Sequence, residues 1–162
     1  MIEFGNASHV GLRRELNEDT YYSDGELGLW LVADGMGGHE FGEVASALAR
    51  DSVVREVRSG RTLSEAIRSA DEEIIRESRK RADSLPMGTT MVALRVVDNR
   101  FELAWVGDSR AYLWNGQLRQ PMLLTDGQGV ISQAPIEGLL HPSNVLDTLG
   151  ADAPEKRCKT TR

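Results

Sequence analysis

A chain of 162 residues with a formal net charge of −6 and 40% hydrophobic residues is long enough for one domain with a real core, which excludes a disordered or fibrous chain. The acidic balance argues against nucleic acid as the main partner, because counterion release rewards basic surfaces. The longest apolar run, "LWLVA", falls far short of the ~20 residues of a membrane-spanning helix, and the opening "MIEFGNASH" lacks signal-peptide character. The reading is therefore a cytoplasmic protein with no membrane partner. A single cysteine, Cys158, excludes an internal disulfide framework and a multi-cysteine zinc site.

In chain order, "EFGNASHVG" and "DTYYS" read as two short strands, and "LGLWLVA" as a buried strand ending at Asp34. A helix follows from about Gly42 to Ser59, with Ala45, Leu48, Ala49, Val53 and Val57 at three- and four-residue spacings and Gly60 as the stop. A second helix opens on Thr62 and Glu65, a capping-box pair, and buries Leu63, Ala66, Ile67, Ala70 and Ile74. From Gly88 the period becomes that of strands: "TTMVALRVV", a turn at Asp98–Asn99, "RFELAWVG", "RAYLW", a turn at Asn115–Gly116, then "QLRQ". This order predicts an α+β fold with helices packed on antiparallel sheets rather than a β-α-β alternation. Beyond Pro121 periodicity fades, so loops and at most one or two short helices are expected.

The glycines of "DGMGGHEFG" lack the G-x-x-x-x-G-K-S/T spacing and the lysine of a phosphate-cradling loop, so a nucleotide site is disfavoured. Asp34 at a strand end, followed by a glycine whose carbonyl is unobstructed, instead offers the oxygen mixture that Mg²⁺ and Mn²⁺ prefer. Two more acidic groups, Glu18–Asp19 in "NED" and Asp108 in "VGDSR", each read singly as turns. Together with Arg14 in R-x-x-N-E-D, they are the parts for a metal-activated water attacking a phosphate that an arginine holds. His9 and His141 have no ligand spacing and read as structural. Asn17 is expected to order the loop around Asp19, and Gly88 of "MGTT" to allow close backbone approach.

The stretches "GLRRELNEDTYY", "LGLWLVADGMGGHEFGEVASALA", "MGTTMVALRV" and "AWVGDSRAYLWNGQLRQ" resemble, in order, those of the metal-dependent serine/threonine protein phosphatases of type 2C, the PPM family, in its short bacterial form. The resemblance covers residues 5 to 120 well and the remainder of a single domain over 1–162 poorly. It implies an α-β-β-α sandwich and a binuclear Mn²⁺ or Mg²⁺ centre. In that pattern Asp34 bridges both ions, the carbonyl of Gly35 binds one, and Asp19 and Glu18 hold metal-bound waters. Arg14 binds the substrate phosphate, and Asp108 serves an additional, weaker metal site. Family members known for a histidine acid carry it two residues after the bridging aspartate, where this chain has Met36. His39 therefore stands between a substrate or proton-transfer contact and a structural loop residue. The expected substrates are phosphoproteins made by a serine/threonine kinase.

The family's two late aspartate ligands, in Asp-Gly and Asp-Asn pairs, lie beyond the matched region. The stretch from Leu123 to Gly150 reads as a shortened flap, with Asp126 as a metal ligand in the competing reading. The expectation is an incomplete, truncated phosphatase domain with weakened metal binding and unpaired sheet edges that could join a second copy. A module that recognises phosphoproteins without turning them over is the second functional reading.

Overall fold

The computed structural model describes residues 2–37, 41–80, 86–98, 100–113, 122–123 and 132–135. Its strands are β1 (Asp19–Asp24), β2 (Leu29–Met36), β3 (Gly88–Thr89), β4 (Met91–Val97), β5 (Arg100–Val106), β6 (Tyr112–Leu113), β7 (Met122–Leu123) and β8 (Ser132–Pro135), and its helices are α1 (Phe41–Arg58) and α2 (Leu63–Arg79). One antiparallel sheet runs β1-β2-β4-β5-β8, with β3 continuing the line of β4 against the end of β2, and β6 and β7 form a separate two-stranded ribbon. Of the four layers that the resemblance implies, the described residues supply one pair of helices and one wide sheet.

Strand β2 sets the layering. Its side chains alternate, and the odd-numbered Leu29, Leu31 and Ala33 are buried while Val32, Asp34 and Met36 are exposed. The buried set meets Met91 and Ala93 of β4, Ala104 of β5, Ala45, Ala49, Val53 and Val57 of α1, and Leu63, Ala66, Ala70 and Ile74 of α2 in one core. Small alanines on α1 let the helix approach the sheet closely, and Ser46, 1% exposed, is satisfied by donating to the carbonyl of Glu18 at 2.7 Å. On the opposite face Val92, Phe101, Leu103 and Trp105 make a second buried cluster. Phe4 packs edge-on against Trp30 with ring centroids 5.9 Å apart.

The helices start as their sequences require. Thr62 and Glu65 form the capping box, with both reciprocal bonds present. The buried carboxylate of Glu102 on β5 accepts the N–H of Leu63 at 3.0 Å, so the sheet satisfies one more free donor of the first turn of α2. Among the described residues, no helix is long and apolar enough to cross a membrane.

Three expectations are corrected. Residues 3–11 form no strand; this segment is tied down by side chains, Asn6 to Ser23 at 3.4 Å and Asn17 to Ser8 at 2.7 Å. The region beyond Pro121 contains strands: β8 pairs with β5, Leu103 opposite Ser132 and Arg100 opposite Pro135. "SQAP" carries no apolar alternation because this pairing is made by backbone, and a proline at the end of an edge strand is tolerated there. Leu113 pairs with Met122, whereas a two-residue turn at Asn115–Gly116 would set it opposite Leu118. Asn99, Asn115, Gly116 and "QLRQ" lie outside the described residues.

Candidate functional site

The carboxylate pair follows from strand register. Asp19 of β1 stands opposite Asp34 of β2, and the neighbouring Gly35 N–H donates to Glu18 O at 3.1 Å. Glu18–Gly35 is thus the hydrogen-bonded pair, which makes Asp19–Asp34 the closer, non-hydrogen-bonded kind with both side chains on one face. The two carboxylates are within hydrogen-bonding contact, and Asp108 and Arg14 act on Asp34 through charge. Loss of water over the sheet, the largest contributor even though Asp34 keeps one side open, pushes its carboxyl above the usual carboxylate range. The negative charges of Asp19 and then Asp108 push the same way, and Arg14 opposes them.

Glu18 goes elsewhere. Its carboxylate lies against Gly42 at the start of α1 and accepts from Arg14 Nη1 at 2.7 Å, since successive residues of an extended chain point to opposite sides. The Arg14 side chain is 65% exposed. Gly35 and Gly42 meet backbone to backbone: a Cβ on Gly35 would collide with the carbonyl of Gly42. The missing side chain that sequence reading attributed to an open carbonyl is therefore also a packing requirement that seats α1 on the end of β2.

The threonines of "MGTT" clamp Asp34 from the other side. Its carbonyl accepts from the Thr90 N–H at 2.8 Å and the Thr89 hydroxyl at 2.9 Å, and its N–H donates to the Thr90 hydroxyl at 3.2 Å. Thr90 Oγ1 is in turn 2.7 Å from Ser109 Oγ. Gly88, expected to permit a close approach, meets only Met36 at ordinary contact distance; the demanding glycine is Gly107, with φ +89° and the Thr90 methyl 2.7 Å from where its Cβ would be. Asn17 orders the loop as expected, accepting the Asp19 N–H at 3.2 Å.

A cavity of about 330 Å³ opens over the pair, lined by Ser8, His9, Asp19, Tyr21, Asp34 and Ser109 among others. The structure brings together Asp19 and Asp34, with Asp108 and Arg14 in electrostatic range, and leaves Glu18 on the helix side. His39, Asp126, His141 and Cys158 lie outside the described residues. Sequence reading missed Thr90, Ser109 and Gly107, although their position within "MGTT" and "VGDSR" was a usable signal. His9, read as structural, accepts the Gly11 N–H at 2.9 Å and also lines the cavity.

The donor set suits a hard cation. Two contacting carboxylates without a bridging cation repel when both are ionised, and oxygen is the ligand atom that Mg²⁺ and Mn²⁺ take. Among the described residues no three His, Cys, Asp or Glu side chains converge tightly enough to hold an ion alone. Water would complete the shell, as it commonly does around Mg²⁺.

The family model for protein phosphatase 2C matches residues 8–133. The chain is 35% identical over 149 residues to the serine/threonine protein phosphatase PstP of Mycobacterium tuberculosis, covering 88% of this chain and 28% of that protein. It is 34% identical over 128 residues to the serine/threonine phosphatase stp of Listeria monocytogenes, covering 72% of this chain and 50% of that one. The chain thus spans half or less of the length of these curated relatives. A crystal structure of the M. tuberculosis PstP/Ppp phosphatase superposes with a TM-score of 0.66 at 34% identity, covering 74% of this chain and 52% of that one. A PstP catalytic domain in complex with two manganese ions gives 0.69 at 25% identity over 80% and 70% of the two chains. A matching family model across most of its length makes this chain a member of the protein phosphatase 2C family.

Proposed function

We propose that this chain is part of a metal-dependent phosphatase that hydrolyses phosphoserine and phosphothreonine esters in proteins, and that residues 1–162 belong to a single phosphatase domain. The observation that supports this best is the Asp19–Asp34 pair, held side by side at strand ends within reach of Arg14, in a chain whose relatives carry that activity in their names.

Asp34 and the Gly35 carbonyl would hold Mn²⁺ or Mg²⁺ ions, with Asp19 contributing through water and Asp108 serving a further, weaker site. Bound there, the ions supply Lewis-acid activation of a water and neutralise charge on the phosphoryl oxygens. The residues of the chain do the positioning. Arg14 binds the phosphate through its forked donors, and the ion pair to Glu18 at 2.7 Å orients that fork while leaving further N–H groups for the substrate. This gives Glu18, whose carboxylate lies on the helix side, an orienting role in place of the expected hold on a metal-bound water. His39 is proposed as a substrate contact. The substrates would be products of a serine/threonine kinase in the cytoplasm, with neither nucleic acid nor membrane as a partner; self-association would use a sheet edge such as that of β1, which among the described residues pairs only with β2.

A second reading, phosphoprotein recognition without turnover, draws support from the fact that only two carboxylates are in contact among the described residues. Mn²⁺-dependent hydrolysis of p-nitrophenyl phosphate and of a phosphothreonine peptide separates the two. Wild type should release phosphate and Asp34→Ala should stay at background. If wild type is no faster than Asp34→Ala at any Mn²⁺ concentration while still binding the phosphopeptide, the second reading stands instead.

A further inference from the structure

The ladder between β2 and its neighbour keeps one register, Gly35 opposite Thr89 and Val32 opposite Val92, which sets Asp34 opposite Thr90. A regular hydrogen-bonded pair there would exchange two backbone bonds. Only one is made, Thr90 N–H to Asp34 O at 2.8 Å. The second has been rerouted: the Asp34 N–H goes to the Thr90 hydroxyl at 3.2 Å, while the Thr89 hydroxyl lies 2.9 Å from both the Thr90 and the Asp34 carbonyls and shares its one hydrogen between them. Thr90 is 5% exposed, and its hydroxyl continues to Ser109 Oγ at 2.7 Å. Its methyl presses on Gly107, where a Cβ would lie 2.7 Å away. One buried side chain therefore grips both the backbone of Asp34 and the turn that carries Asp108.

From this geometry we infer that Thr90 is a positioning residue whose hydroxyl, through Ser109, sets the spacing between the Asp34 and Asp108 carboxylates. The inference rests on the metal-site reading of Asp34 for its functional consequence, but the positioning itself is readable without metal. A threonine serves here because it alone among small residues offers a methyl for the glycine turn and a hydroxyl for two partners at once. Partners that orient metal-binding groups are worth about 10- to 100-fold in metal affinity or activity.

The test uses the full chain and three variants. Thr90→Val keeps the shape and removes the hydroxyl, Thr90→Ser keeps the hydroxyl, and Ser109→Ala removes the onward partner. Thermal melts establish that each folds. Calorimetric titration with Mn²⁺ should show about 10- to 100-fold weaker binding for Thr90→Val, recovery in Thr90→Ser, and a double variant Thr90→Val/Ser109→Ala no weaker than Thr90→Val alone. Amide hydrogen exchange at Asp34, measured without metal, should quicken in Thr90→Val and not in Thr90→Ser. Equal Mn²⁺ binding and equal exchange in wild type and Thr90→Val overturn the inference, as does a Thr90→Ser variant as impaired as Thr90→Val, since retaining the hydroxyl would then restore nothing. Failure of wild type to bind Mn²⁺, with the exchange difference intact, would overturn the metal reading and leave the positioning role standing.

Discussion

The two faces of β2 do different work with the same eight residues. Toward the helices, Leu29, Leu31, Ala33 and Gly35 are closed off from water and seat α1. On the other face Trp30, Val32, Asp34 and Met36 carry an aromatic contact, exposed apolar groups and the charge on which the proposed chemistry depends. Period-two alternation lets one strand keep stability and chemistry apart, so substitutions on the two faces should fail in different assays.

The largest separation is expected at Asp34. Asp34→Ala should bring Mn²⁺-dependent hydrolysis to background while the melting temperature of the metal-free protein changes little, because the lost carboxylate is desolvated beside Asp19 rather than paired with a cation. Phosphate release and a thermal melt on the same sample check both halves. On the opposite face, Leu29→Ala empties a fully buried site and should cost about 2–5 kcal/mol, with turnover per folded molecule retained; urea unfolding combined with activity in the native baseline reads this out.

These two residues also mark how far the sequence carried. Leu29, Leu31 and Ala33 declare their face by alternation, and Asp34 stands out as a charge ending an apolar strand, so β2, both helices and the family motifs were legible. Thr90 was not, because its role depends on a hydroxyl replacing a backbone acceptor across a ladder, and nothing in local periodicity encodes that. Strand β8 was hidden for a related reason: a strand recruited by backbone pairing at an edge needs no apolar pattern. Glu18 shows the opposite limit, since adjacency to Asp19 in sequence is what sends its side chain to the other side of the chain.

Smaller effects sharpen the comparison on the helix side alone. Thr62→Ala removes the capping-box acceptor of α2 and should cost about 1 kcal/mol, visible in the urea midpoint with no change in Mn²⁺ affinity. The ion pair of Arg55 with Glu73 at 2.8 Å ties α1 to α2 at the surface. The Arg55 guanidinium holds the Glu73 carboxyl below its ordinary value, so its contribution is present above the unfolded-state pKa and is lost as pH falls through the lower folded value. Glu73→Gln should therefore cost about 0.2–1 kcal/mol near neutrality and nothing in acid, as melts across a pH series would show.

The most direct test of the central claim is a Mn²⁺ titration by calorimetry on wild type, Asp34→Ala and Leu29→Ala, at a temperature where all three are folded. If the exposed face of β2 is the metal face, wild type and Leu29→Ala bind Mn²⁺ alike and Asp34→Ala loses the heat of binding. Undiminished binding by Asp34→Ala would contradict it.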